Sequence, residues 1–415
     1  MRDTSFSICK ALAIILVVIS HAGAPGWIND FIFQFHVPVF FFCAGYFFKL
    51  GYLDTPGVYL GHRLTRLYWP FVKWSLFFLI VHNLLFPLGL LSETFGNATG
   101  GVLHPYTFAD FCQRSWNVVF NMSGYDEFIC GAFWFFRSLF IGSIGFLLGL
   151  KLFRKLRPED SWIQSGLLLS LLVVLLIVWK IGMGLRITGI AGGGYRELMA
   201  VLFMTLGFLF SRYRPRMQMG WLTTAVCTLI TVLGAIYYPT SMAFNADYGH
   251  FFMLLLTATA GFLLTYSLSC RIDRLCAFVR RPLVYIGDRT LHIFAFHLLA
   301  FKVVSAVKVA WYGLPWQAVG SHTVVNSHTD DAFWILYTLV GVALPLAWLA
   351  GYRYLAGRFD LSLKSCLRYA LNFTIRALVL LVVGLRKLLK SLWHMVLGIR
   401  DAIRDIISAS SPKDE

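Results

Sequence analysis

Lys10 and His21 close the two ends of one apolar stretch, KALAIILVVISH. On a helix that spacing is three turns plus about 20°, so the two side chains share a face. The rise between them is about 16 Å, roughly half a bilayer. Ionisable groups inside a membrane span are costly and by default mark a functional path. A plainer reading has Lys10 snorkelling to the inner surface and His21 merely ending the helix.

Four further segments carry residues able to do chemistry. Phe35-His36-Val37-Pro38 opens an apolar run that closes with Cys43-Ala44-Gly45-Tyr46. Pro38 removes a backbone donor and is expected to kink the helix, freeing a carbonyl. His36 either satisfies that carbonyl or lines the same cavity as His21. In His62-Arg63-Leu64-Thr65-Arg66 the two arginines share a helix face and suit a phosphate or pyrophosphate. Anchoring at the inner surface explains them equally well. Arg137 falls within an apolar run, where it needs an anionic partner or a wet cavity. His297 ends the segment Tyr285-Ile286-Gly287-Asp288-Arg289-Thr290-Leu291-His292-Ile293-Phe294-Ala295-Phe296-His297 and is expected near mid-membrane. Imidazoles at several depths with cations near one face suit a route through a bilayer for a charged donor from the cytosol. That pattern alone fits a transporter as well as an enzyme.

The elements that hold these residues follow from composition. The chain has 415 residues, 58% of them hydrophobic and 13% charged, with mean hydropathy +0.70. Such a chain excludes an ordinary soluble domain and predicts an all-α, polytopic transmembrane helical bundle. Ten spans are expected, near 6–22, 29–48, 68–90, 132–150, 161–179, 197–211, 220–238, 250–269, 290–312 and 332–351. With the N-terminus inside, the inner segments before the tail hold 16 Lys/Arg and the outer segments 4. That asymmetry predicts an N-in, C-in chain in the cytoplasmic membrane. It also accounts for the net charge of +16 as a topology signal, with no nucleic-acid partner expected. Ala22-Gly23-Ala24 resembles a signal-peptide cleavage site, but Lys10 interrupts the apolar run and nine spans follow, so cleavage is not expected.

The outer loop 91–131 mixes aromatic and acidic residues (Trp116, Tyr106, Asp126, Glu127) and reads as a carbohydrate-type surface or a lid. It contains a glycosylation sequon, Asn97-Ala98-Thr99, and two cysteines, Cys112 and Cys130. These two alone share an oxidising side, so a disulfide between them is expected. The loop 313–331 carries His322, His328, Asp330 and Asp331 at no metal-site spacing and reads as solvated. No CxxC pattern occurs, so neither a metal nor a redox centre is expected. Gly192-Gly193-Gly194 reads as a turn, because no GxxxxGK pattern follows. Residues 353–415 form a separate basic tail. Its apolar stretch Ala377–Val383 is too short to span and is flanked by Arg376, Arg386, Lys387 and Lys390. It reads as an amphipathic helix on the inner leaflet, held by anionic lipid.

Five of these segments stand in an order and spacing that resembles the family-3 membrane acyltransferases. They are Lys-x10-His in the first span, FHVPVFFFCAGYFF in the second, HRLTRLYWPF before the third, FWFFRSLF in the fourth and IGDRTLHIFAFH in the ninth. The resemblance covers residues 6 to about 352 and is nearest in style to the fucose 4-O-acetylase-like branch. It implies a ten-span domain over 1–352 that O-acylates sugars or polysaccharides, with acetyl-CoA or another acyl-CoA as donor and no metal. His21 takes the position of the family's essential histidine, and Lys10 that of an arginine, keeping charge but losing the bidentate fork. Arg63 and Arg66 match two arginines of an Arg-Arg-x-x-Arg motif, with His62 in place of the first. Ala44-Gly45-Tyr46 departs from the common Ser-Gly-Tyr.

The resemblance implies that His21 acts as general base or acyl carrier, with Lys10 contributing charge. It implies that Lys10, Arg63 and Arg66, with Arg137 as a further cation, offset the phosphates of CoA. His36, His297 and Tyr46 are then expected to meet the acceptor, a cell-surface polysaccharide or its lipid-linked precursor. The competing reading is an exporter of a glycan or small anion. An exporter should show paired repeats with broken helices, and the sequence has no such internal symmetry.

Overall fold

The apolar runs bury one face, rich in Phe and in small or polar residues, and leave an apolar stripe outward. One helix shows the rule clearly. Along Trp162–Gly182, Ser165, Gly166, Leu169, Val173 and Ile177 are buried. Leu167, Leu171, Leu175 and Trp179, spaced by fours, are all more than half exposed. A stripe of that kind belongs against lipid, where exposure of apolar side chains is favourable.

The computed structural model describes residues 3–92, 94–95, 104–188, 191–214, 219–244 and 247–358, with a few isolated positions beyond. The amphipathic-tail reading and the sequon at 97–99 lie outside the described residues. Two compact units divide the chain, Met1–Ala347 and Trp348–Glu415. Among the described residues every regular element is helical. In chain order these are α1 (Thr4–His21), α2 (Gly26–Phe33), α3 (Pro38–Tyr46), α4 (Pro56–Arg63), α5 (Trp69–Leu85), α6 (Phe108–Asn121), α7 (Glu127–Cys130) and α8 (Trp134–Leu156). They continue with α9 (Trp162–Gly182), α10 (Tyr195–Tyr213), α11 (Trp221–Tyr237), α12 (Tyr248–Ile272), α13 (Ala277–Gly287), α14 (Thr290–Tyr312) and α15 (Phe333–Arg358).

Nine helical runs among the described residues are long and apolar enough to cross a membrane. The seventh expected span, 220–238, corresponds to α11, which is apolar but only 17 residues long. Its rise of about 26 Å falls a little short of a typical hydrocarbon core. The second span is broken where Pro38 predicts it, between α2 and α3. The third begins earlier than expected, at Pro56, and contains a π-helical turn over Leu64–Tyr68. Pro70 explains that turn, since it lacks the N–H that an α-helix would direct at the Arg66 carbonyl.

Two glycine features set the packing. Gly192, Gly193 and Gly194 all have positive φ (71°, 57° and 88°), so the turn before α10 requires residues without a Cβ. Where α3 crosses α10, a Cβ on Gly45 would lie 1.8 Å from the Met204 carbonyl oxygen. Gly45→Val should therefore push the two helices apart and cost about 1–3 kcal/mol or more. A lowered unfolding midpoint in detergent, with Gly51→Ala unchanged as the control, is the expected measurement. Nothing lies within 4 Å of a Cβ at Gly51.

The expected disulfide is absent: Cys112 and Cys130 are both free thiols. The segment between them is not a pliable loop. α6 is closed at its start by a capping box between Thr107 and Asp110, and it holds Cys112 exposed. Cys130 instead ends α7 buried in a cluster with Phe128 and Ile129. The two thiols are thereby committed to different environments. The hydrogen bonds of the Asp110 cap also hold its carboxyl below the usual carboxylate range.

Side-chain hydrogen bonds tether the segments 104–131 and 313–331, while His328 and Asp330 stay exposed as a solvated loop requires. His82 on α5 pairs through Nδ1 with Asp126 at 2.5 Å, and its Nε2 lies 2.9 Å from the His104 carbonyl. The Tyr106 hydroxyl donates to the same carboxylate at 2.9 Å. Burial and the Asp126 charge push that phenol well above its ordinary value. The loop 313–331 is pinned by two buried lysines of α14. Lys302 donates to the carbonyls of Val319 and Ser321, and Lys308 to the His328 carbonyl and the Asp331 carboxylate.

Candidate active site

α1 carries Lys10, Ile14, Val17 and His21 along one face, as 3.6 residues per turn requires. A cavity of about 680 Å³ runs beside that face and touches all four. At the Lys10 end the wall is charged and polar, with His62, Arg63, Arg66 and Asp288. The middle is apolar, with Phe40, Phe135, Leu139 and Phe294. At the His21 end it is lined by His36, Trp134, Ser241 and Met242. Its volume lies within the range of small-molecule and cofactor sites.

The charged end is assembled from three chain segments. Arg63 donates to the Tyr59 hydroxyl at 2.9 Å with its guanidinium over the Tyr59 ring, while its buried Nε has no protein partner. Arg66 lies within the π-helical turn and is exposed. Asp288, which follows α13, accepts from the Ser7 hydroxyl at 2.9 Å. Cations with unused donors at the mouth of an elongated cavity can bind phosphate groups while the rest of a ligand extends inward.

At the other end His21 is partly buried, and among the described residues no group hydrogen-bonds its ring. The titratable groups that act on it electrostatically are His297, His36 and His322. His36 donates from Nδ1 to the Ile32 carbonyl at 2.8 Å, in the helix break made by Pro38. The ring centroid of His297 lies 5.4 Å from that of His21. His322 packs edge-on against the Phe128 ring at 5.2 Å between centroids. Burial and the neighbouring Lys302 cation push its imidazole below the ordinary value, so it stays neutral to lower pH than a free histidine.

The structure thus brings Lys10, His21, His36, Arg63 and Arg66 onto one cavity wall and His297 into contact with His21. Two expected site residues stand elsewhere. Arg137 does not line the cavity; it is buried against Glu197 at 3.2 Å, and Ser138 donates to the same carboxylate oxygen. Tyr46 does not line it either; its hydroxyl accepts from Arg214 and its ring stacks on Phe6 at 4.0 Å. His322 joins the imidazole cluster from a loop that the sequence presents as solvated. Its only signal there is a histidine in an outer loop. Met242 and Ser241 are equally silent in sequence. Arg196 holds them in place, donating to the Met242 carbonyl at 3.2 Å while lying over the Trp134 ring.

A protein-family model described as an acyltransferase domain, of the acyltransferase 3 type, matches residues 3–352. No curated protein matches the chain. No solved structure matches it.

Proposed function

The chain belongs to the acyltransferase 3 family and is a multi-pass membrane acyltransferase, and from that premise we propose that it O-acetylates a glycan across the bilayer. Acetyl-CoA, or another acyl-CoA, docks its phosphates on Lys10, Arg63 and Arg66 at the cytosolic mouth. Its thioester extends along the apolar middle of the cavity to His21. The acceptor is a hydroxyl of a cell-surface polysaccharide or its lipid-linked precursor, meeting His21 beside His36. The membrane is the cytoplasmic one, with both termini inside, as the Lys/Arg distribution favours. Residues 1–352 carry the activity, and the basic tail 353–415 lies on the inner leaflet.

One observation carries this reading: a cavity joins a cationic mouth to an imidazole whose ring no group hydrogen-bonds among the described residues. An uncommitted imidazole is suited to take a proton from a hydroxyl. The acceptor oxygen attacks the thioester carbonyl, a C–O bond forms and His21 takes the hydroxyl proton. The C–S bond then breaks, and the proton passes to the leaving thiolate.

The test is release of the CoA thiol by purified protein, dependent on acetyl-CoA and a glycan acceptor together. Donor recognition has its own signature. A charged hydrogen bond contributes about 1.5–3 kcal/mol, so Lys10→Glu or Arg63→Ala should raise the donor KM by about 10–100-fold. Lys10→Arg keeps the charge and should stay within a few-fold of the parent. An unchanged donor KM in Lys10→Glu and Arg63→Ala would place the donor elsewhere.

A further inference from the structure

His297 on α14 is 1% exposed. Its Nδ1 lies 3.1 Å from the Ile293 carbonyl oxygen and 2.9 Å from that of Phe294. Carbonyl oxygens only accept, so Nδ1 carries a hydrogen in either protonation state. The lone pair of the neutral ring is therefore on Nε2, at the opposite edge, and that atom is buried with no protein partner. A buried acceptor left unmatched is costly and calls for an explanation. The neighbouring ring is His21, tilted by 34° at a centroid distance of 5.4 Å, with no direct hydrogen bond between them.

His21 has the complementary need. A general-base imidazole works best when a partner fixes which nitrogen carries the hydrogen and shares the charge that develops. A carboxylate commonly does this, but the groups acting on His21 are imidazoles only. The alternatives to His297 are committed elsewhere. His322 packs edge-on against Phe128, with no ring contact to His21 among the described residues, and Lys302 is tied to the carbonyls of Val319 and Ser321. His36 makes no ring contact with His21 and lines the cavity itself.

We propose that His297 is the positioning partner of His21, its Nε2 accepting the His21 hydrogen through one bridging water. His21 then presents its other nitrogen, unprotonated, to the acceptor hydroxyl. As His21 takes the hydroxyl proton, its original hydrogen moves through the water to His297 Nε2. The carbonyls of Ile293 and Phe294, already facing Nδ1–H, stabilise the resulting imidazolium. When the C–S bond breaks, His21 protonates the thiolate and recovers its hydrogen from His297. No net proton is gained or lost by the pair.

This inference rests on His21 being the base, and the experiment separates the two. Full-length protein is assayed in lipid nanodiscs with acetyl-CoA as donor. His297→Ala is expected to lower kcat by about 10–100-fold, the range for loss of a partner that orients a reacting imidazole, with the donor KM within two-fold. Added imidazole should restore part of that rate in His297→Ala but none in the His21→Ala/His297→Ala double variant. His297→Gln, whose amide can donate to the helix carbonyls and accept from the water, should lie between the parent and His297→Ala. Because that amide cannot take up a proton, His297→Gln should still lose more than two-fold in kcat, and it decides alone if His297→Ala fails to fold. A kcat within two-fold of the parent in either variant, with His21→Ala inactive, overturns the partnership and leaves the base intact. Near-native transfer by His21→Ala overturns the base reading itself.

Discussion

Replacing His21 with alanine is expected to reduce acyl transfer by about 10²–10⁴-fold, the usual contribution of a general base. His21 ends α1 at the far end of the cavity from the cationic mouth, and among the described residues no group hydrogen-bonds its ring. The substitution removes an imidazole that supports no hydrogen bond of the fold. The buried face of α1, from Phe6 through Val18, keeps its packing. Donor affinity, set about 16 Å away at Lys10 and the arginines, should stay within two-fold. A fall in kcat with unchanged donor binding and an intact size-exclusion profile is the expected result. Near-native kcat would remove His21 from the chemistry.

The second large effect concerns stability. Arg137 and Glu197 face each other with side chains 5% and 8% exposed. The carboxylate also accepts from Ser138, and its second oxygen has no partner. Breaking a buried pair from one side leaves the other charge uncompensated, at a cost of about 3–5 kcal/mol. Arg137→Ala and Glu197→Ala should each lower the unfolding midpoint sharply. Arg137→Met combined with Glu197→Leu should recover most of the loss, because it removes both charges and refills the volume. Equal losses in the single and double variants would show that packing, not charge, holds this crossing.

Much of the fold was legible because a bilayer demands long apolar helices, and such runs stand out in any sequence. The break at Pro38 was legible for the same local reason, a missing N–H. Lys10 and His21 could be placed together because helix period fixes their relation. His36, Arg63 and Arg66 carried chemistry on their face, although only the packing puts them on one wall. What stayed hidden depends on contacts between distant segments. Nothing near Arg137 announces that its partner is Glu197. His322 looks solvated until Lys302 pins its loop. The capping box at Thr107 turns a stretch that reads as a loop into a helix, and so keeps Cys112 apart from Cys130.

In the proposed reaction donor and acceptor meet from opposite ends of one cavity. Sided proteoliposomes test it most directly. Protein is reconstituted with Lys10-side termini outward, labelled acetyl-CoA is supplied outside, and a membrane-impermeant glycan acceptor is trapped inside. Labelled ester on the trapped glycan, absent with His21→Ala, is the predicted result. Ester formed only when acceptor and donor share the outer compartment would contradict it.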